Sequence, residues 1–147
     1  MKQKTKLTIF KPDTNTNLKL QLFSSTISAG FPSPAEDYVE NELDLNKMMI
    51  DHPAATFFVK VKGDSMLNAA INDGDILVVD RAKNMKKNSI VIAFLDGEFT
   101  VKRIIKERNG TFLQPENPKY KPIKVTSEMD FKVWGIVTYV IKNLSSF

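Results

Sequence analysis

The sequence predicts a mostly β domain of antiparallel strands with one or two short helices near its start, preceded by a flexible N-terminal arm. Short apolar runs with period-two alternation recur from Phe57 to Ile141. Asn/Asp-Gly clusters that suit tight turns separate several of them. The charge is also split: residues 1–29 carry Lys2, Lys4, Lys6, Lys11 and Lys19 against Asp13 alone, a balance of +4, whereas residues 30–147 carry 16 basic and 16 acidic side chains. A chain of 147 residues has room for one sizeable core and not for two full ones.

The arm is polar and turn-rich at Lys11-Pro12-Asp13-Thr14-Asn15, then alternates at Leu18, Leu20 and Leu22, which suits an extended segment laid against a neighbour. A basic arm is able to grip phosphates, but the simpler reading is a solvated terminus. Ser24 to Pro34 holds small residues, Gly30 and two prolines, the composition of an accessible extended linker. The charge balance changes here as well, so the boundary is placed between residues 1–29 and 30–147.

Helical signals follow. Pro34 precedes Ala35-Glu36-Asp37-Tyr38-Val39, whose acids suit a helix N-terminus, and Asp44 is placed to cap a helical turn over Leu45–Ile50 that ends before Pro53. The β pattern then begins. Phe57, Val59 and Val61 alternate with Phe58, Lys60 and Lys62; Ile76–Val79 and Ile90–Leu95 are apolar runs of strand length. Turns are expected at Asn72-Asp73-Gly74-Asp75, Asp96-Gly97 and Asn109-Gly110. Further strands are expected over Glu98–Ile105, Thr111–Gln114 and Phe131–Ile141.

Composition narrows the chemistry. With no cysteine, thiolate nucleophiles, disulfides and thiolate metal sites are excluded. The single histidine, His52, leaves no His-rich metal site, and no cofactor is implied. No apolar run approaches the roughly 20 residues of a membrane span, and the start has no signal-peptide core, so a cytoplasmic protein without a membrane partner is expected.

Gly63-Asp64-Ser65-Met66 directly follows the Phe57–Lys62 strand. A serine there is able to expose its hydroxyl beside free backbone N–H groups, the parts of a nucleophile and an oxyanion hole. It reads equally well as a turn or N-cap serine. A lipase-like use of Ser65 needs a late histidine, and the only one lies upstream. A Ser-x-x-Lys arrangement fails because Asn68 stands where the lysine is needed. What remains is a base distant in sequence, and lysine is the residue type that suits it. In Glu98–Ile105, Phe99 and Val101 point one way and Thr100, Lys102 and Ile104 the other, so both faces are apolar and Lys102 is a candidate for burial. Burial lowers a lysine pKa and frees the neutral amine, although an exposed strand lysine fits the periodicity alone.

Together these segments resemble the UmuD-like branch of the LexA/UmuD self-cleaving peptidases, over nearly the whole chain. The resemblance rests on Ala29-Gly30-Phe31-Pro32-Ser33-Pro34-Ala35 with Asp37-Tyr38-Val39-Glu40, and on Gly63-Asp64-Ser65-Met66. It rests equally on Asp73-Gly74-Asp75 with Val78-Val79-Asp80, and on Asp96-Gly97-Glu98-Phe99-Thr100-Val101-Lys102.

The resemblance implies Ser65 as nucleophile, Lys102 as general base, Ala29-Gly30 as the scissile bond, and the Ser65 or Met66 N–H as oxyanion donor. It implies cleavage stimulated by a RecA filament on single-stranded DNA, a homodimer, and partnership with a UmuC-like Y-family polymerase in translesion synthesis. The Phe131–Ile141 run, with Trp134 and Tyr139 on opposite faces, is a candidate dimer contact and equally a core strand. Only 29 residues precede the expected cut, with no helical pair among them, so sequence-specific DNA binding of the LexA type is not expected. An interaction module with an idle Ser–Lys pair and a DNA-associated regulator remain the alternatives.

Overall fold

The computed structural model describes residues 6–15, 19–23, 29–30 and 39–145. The chain divides into two compact units, residues 13–51 and a larger one formed by residues 1–12 with 52–147.

In the smaller unit, β2 (Lys19–Phe23) and β3 (Val39–Asp44) form an antiparallel ribbon with a bulge between Leu22 and Phe23. The extended reading of the Leu18–Leu22 alternation therefore holds for residues 19–23. The helix expected from Ala35 lies mostly outside the described residues, but Val39 opens a strand instead. Backbone pairing of Val39 with Phe23 takes the place of a helix at that residue. Helix α1 (Leu45–Met49) starts where expected, because the Asp44 carboxylate accepts hydrogen bonds from the Asn46 and Lys47 amides at 3.0 and 3.4 Å.

The larger unit is a curled antiparallel sheet of eight strands in the order β1-β4-β5-β10-β6-β7-β8-β9. Its members are β1 (Lys6–Phe10), β4 (Thr56–Lys62), β5 (Ile76–Asp80), β6 (Ile90–Leu95), β7 (Glu98–Glu107), β8 (Gly110–Gln114), β9 (Ile123–Lys124) and β10 (Phe131–Ile141). Alternation explains β4: Val59 and Val61 are buried while Lys60 and Lys62 are exposed. β5 is buried over most of its length and β6 at Val91, Ile92 and Ala93, as strands covered on both faces are. One core gathers Val59, Val61, Met66, Leu77, Ile92 and Val101; a second gathers Val91, Ala93, Ile104, Leu113 and Ile136. Residues 91, 92 and 93 alternate between the two, so the sheet is apolar on both sides.

The β6–β7 hairpin turns through Asp96 and Gly97, both with positive φ (48° and 88°), the two-residue turn that matches the strand twist. The β7–β8 turn falls one residue earlier than expected. Glu107 pairs with Gly110, so Arg108-Asn109 is the loop and Gly110 starts the strand. The N-terminal arm also differs from a simple solvated terminus. Residues 6–10 pair in full register with β4, from Lys6↔Lys62 to Phe10↔Phe58, and Leu7 packs against the first core. A five-residue alternation among lysines gives too little periodicity to read as a strand in advance. Among the described residues, no helix is long and apolar enough to cross a membrane.

Candidate active site

The turn after β4 is built by backbone chemistry. Gly63 takes φ 111°, a conformation that favours glycine, and its amide donates to Asp73 Oδ1 at 2.7 Å. Ser65 follows, and Met66 beside it is driven into the first core with 1% exposure. The Met66 carbonyl then accepts from the Ala69 and Ile71 amides, closing a short 3₁₀ turn at Leu67–Ala69. Ser65 thus sits between a fixed glycine turn and a buried anchor.

Lys102 comes from the middle of β7, opposite Val91 of β6. It is 7% exposed and Ser65 3% exposed. Its Nζ lies 3.1 Å from Ser65 Oγ, 2.8 Å from Thr100 Oγ1 and 3.0 Å from the Val101 carbonyl. Of the two sequence readings of Lys102, buried and exposed, the structure has the buried one, and it brings the side chain to Ser65 across 37 positions of chain.

The electrostatics follow from this burial. Desolvation lowers the Lys102 pKa from 10.5 to about 8. A shift of that size raises the neutral fraction at pH 7 by about 300-fold, to roughly a tenth of molecules. A neutral amine has two N–H donors and one lone pair. The Val101 carbonyl accepts only, and Thr100 Oγ1 is free to accept, so these two consume both donors. The lone pair is left facing Ser65 Oγ, where it is able to accept the hydroxyl proton.

A second loop, Pro115–Tyr120, fixes the serine turn from the other side, and sequence reasoning missed it. The Glu116 amide donates to the Ser65 carbonyl at 2.9 Å and the Asn68 amide to the Glu116 carbonyl at 2.7 Å. Asn117, buried, donates from Nδ2 to the Asp64 carbonyl at 2.8 Å and accepts from the Lys119 amide through Oδ1. Tyr120 OH donates to Asp64 Oδ1 at 2.5 Å. Arg103 Nε in turn holds Glu116 Oε1 at 2.5 Å and its guanidinium reaches the Asn88 carbonyl. Asn117-Pro118 is turn chemistry in the sequence, but nothing beside it points to Asp64.

Of the oxyanion candidates, the Met66 N–H has no hydrogen-bond acceptor among the described residues. Ala29 and Gly30 form an exposed bend in the smaller unit, in the connection between β2 and β3. A side chain at Gly30 would meet no other atom within 4 Å. The histidine lies elsewhere: His52 Nδ1 is 2.6 Å from Asp80 Oδ2, at the end of β5.

Comparison with known proteins places the chain in a family. Residues 21–138 match the Peptidase S24-like family. Protein ImpA of Salmonella typhimurium is 46% identical over 82% of this chain and 81% of its own length. Protein MucA of Escherichia coli is 40% identical over 82% of each chain. LexA repressor 1 of Geobacter sulfurreducens is 38% identical over 89% of this chain and 64% of its own.

Proposed function

The chain belongs to the Peptidase S24-like family, and on that footing we propose that it is a self-cleaving serine–lysine peptidase that cuts its own backbone at Ala29-Gly30. The observation that carries this reading is the 3.1 Å approach of a desolvated lysine to a buried serine.

The steps use only groups of this chain. Ser65 Oγ attacks the Ala29 carbonyl carbon as Lys102 Nζ takes the hydroxyl proton. The tetrahedral oxyanion is held by the Met66 or Ser65 N–H. Lys102 then delivers its proton to the Gly30 nitrogen, the C–N bond breaks, and an Ala29 ester on Ser65 remains. Water, deprotonated by Lys102, hydrolyses the ester and restores the serine. Small residues at the bond admit the backbone to a narrow cleft without steric cost.

In cellular terms the reading is a switch of SOS mutagenesis. A RecA filament on single-stranded DNA favours the cleaving conformation, and residues 30–147 then act as a homodimer with a UmuC-like Y-family polymerase in translesion synthesis. The UmuD-like motif set supports this over a LexA-type regulator. The purified chain mixed with RecA filaments assembled on single-stranded DNA should yield a fragment beginning at Gly30 faster than the chain alone. A chain left intact by active filaments, alongside a LexA control that is cut, contradicts the proposal.

A further inference from the structure

β1 is the outermost strand of the sheet and pairs within it only with β4. Val61 of β4 exchanges hydrogen bonds with Asp75 and Gly74 on the β5 side. By alternation, Phe58, Lys60 and Lys62 turn their N–H and C=O groups toward β1. Without β1, these groups form an open sheet edge, a template for another strand.

The hold of β1 on that edge depends on its tether. A five-residue strand is marginal by itself. Leu7 packs on the core, but Ile9 and Phe10 are 38% and 47% exposed. While residues 11–55 join the two strands, β1 is presented to β4 at an effective concentration on the order of mM. On the reading above, cleavage at Ala29-Gly30 severs that tether and leaves β1 on a separate peptide at its bulk concentration.

The chemistry of the vacated edge is legible. β1 is Lys-Leu-Thr-Ile-Phe and holds no carboxylate. The register sets Thr8 at Lys60 and Lys6 at Lys62, and both β4 lysines are exposed. None of the ion pairs among the described residues uses Lys60 or Lys62. Opposite charges directly across an antiparallel pair stabilise it, so β1 is an imperfect partner for this edge.

We infer that cleavage uncovers the Phe58–Lys62 edge as a docking site for an extended strand of a protein partner. That strand alternates apolar residues, at the positions of Leu7 and Ile9, with acidic residues opposite Lys60 and Lys62. The proposal rests on the Ala29-Gly30 cut of the preceding section, but its test does not use self-cleavage.

Full-length Ser65→Ala carrying a site-specific protease sequence between Ala29 and Gly30 is nicked after folding and diluted. Amide exchange is followed at Phe58, Lys60 and Lys62, with Val59 and Val61 as internal controls. The peptides Glu-Leu-Glu-Ile-Phe and Lys-Leu-Thr-Ile-Phe are then titrated onto the nicked protein. Nicking should speed exchange at the three outward amides by about tenfold or more and leave the controls unchanged. The acidic peptide should restore protection and bind about tenfold more tightly than the β1 peptide, an advantage that high salt removes. Unchanged exchange after nicking overturns the proposal, because β1 has then stayed in place. Equal or tighter binding of the β1 peptide also overturns it and points to strand exchange between copies of this chain. A wild-type protein that fails to cut itself, beside a nicked variant that behaves as described, locates the fault in the self-cleavage reading alone.

Discussion

Thr100 Oγ1 lies 2.8 Å from Lys102 Nζ, one turn of the pleat away on the same face of β7, and so occupies an amine proton that would otherwise turn toward Ser65. Together with the Val101 carbonyl it dictates which way the lysine lone pair points. The direction of that lone pair therefore depends on a residue two positions away on the same strand.

Replacing Thr100 should separate this orienting role from burial. Thr100→Val leaves a buried N–H without a partner, at about 1–3 kcal/mol. Self-cleavage should slow by about tenfold or more, and Thr100→Ser should restore most of it. Rates of fragment appearance for the three proteins at one pH check this.

Lys102 itself carries a stability signature with a definite sign. Its folded pKa, about 8, lies below its ordinary 10.5, so the folded state resists protonation. Below pH 8 the fold must bury a charge; as pH rises from 8 to 10.5 that penalty disappears and stability increases. The full span is worth about 3 kcal/mol. Lys102→Met should be more stable than the parent at pH 7 by a similar amount and lose cleavage entirely. Urea unfolding of both proteins at pH 7 and pH 10 checks this, with the difference shrinking at the higher pH.

Asn117 tests whether the Pro115–Tyr120 loop positions the nucleophile. Asn117→Ala removes the donor to the Asp64 carbonyl and the acceptor of the Lys119 amide, at about 1–3 kcal/mol of stability. The cleavage rate on the alkaline plateau should fall, while the pH midpoint set by Lys102 stays where it was. A pH–rate profile distinguishes the two effects.

Gly135 provides a control remote in mechanism. An added Cβ would sit 2.5 Å from Val79 Cγ1 and 3.3 Å from Arg81 Cγ, where β10 shifts register against β6. Gly135→Ala should destabilise the fold by roughly 1–3 kcal/mol through overpacking. Thermal unfolding should show the loss, and the pH midpoint of cleavage should not move.

The sequence and the structure part company where contacts are distant or periodicity is short. β4 and β10 were legible because seven and eleven residues of alternation outlast a chance pattern. The Asp44 cap was legible because it is a local contact. β1 and β3 escaped notice, since five or six residues among charges do not declare a period. The two apolar faces of its strand made Lys102 a candidate for burial without excluding an exposed lysine, and the family resemblance singled it out. Asn117 and Tyr120 reach Asp64 across 53 and 56 positions, and nothing in their own neighbourhood announces that target.

Self-cleavage at Ala29-Gly30 is tested by holding the purified chain across a pH series from 6 to about 10, with intact mass and N-terminal sequencing of the products. Two fragments are expected, residues 1–29 and 30–147. Their rate of formation rises about tenfold per pH unit until it levels near pH 8, and it is absent in Ser65→Ala. No fragment beginning at Gly30 at any pH, or the same fragment from Ser65→Ala, contradicts it.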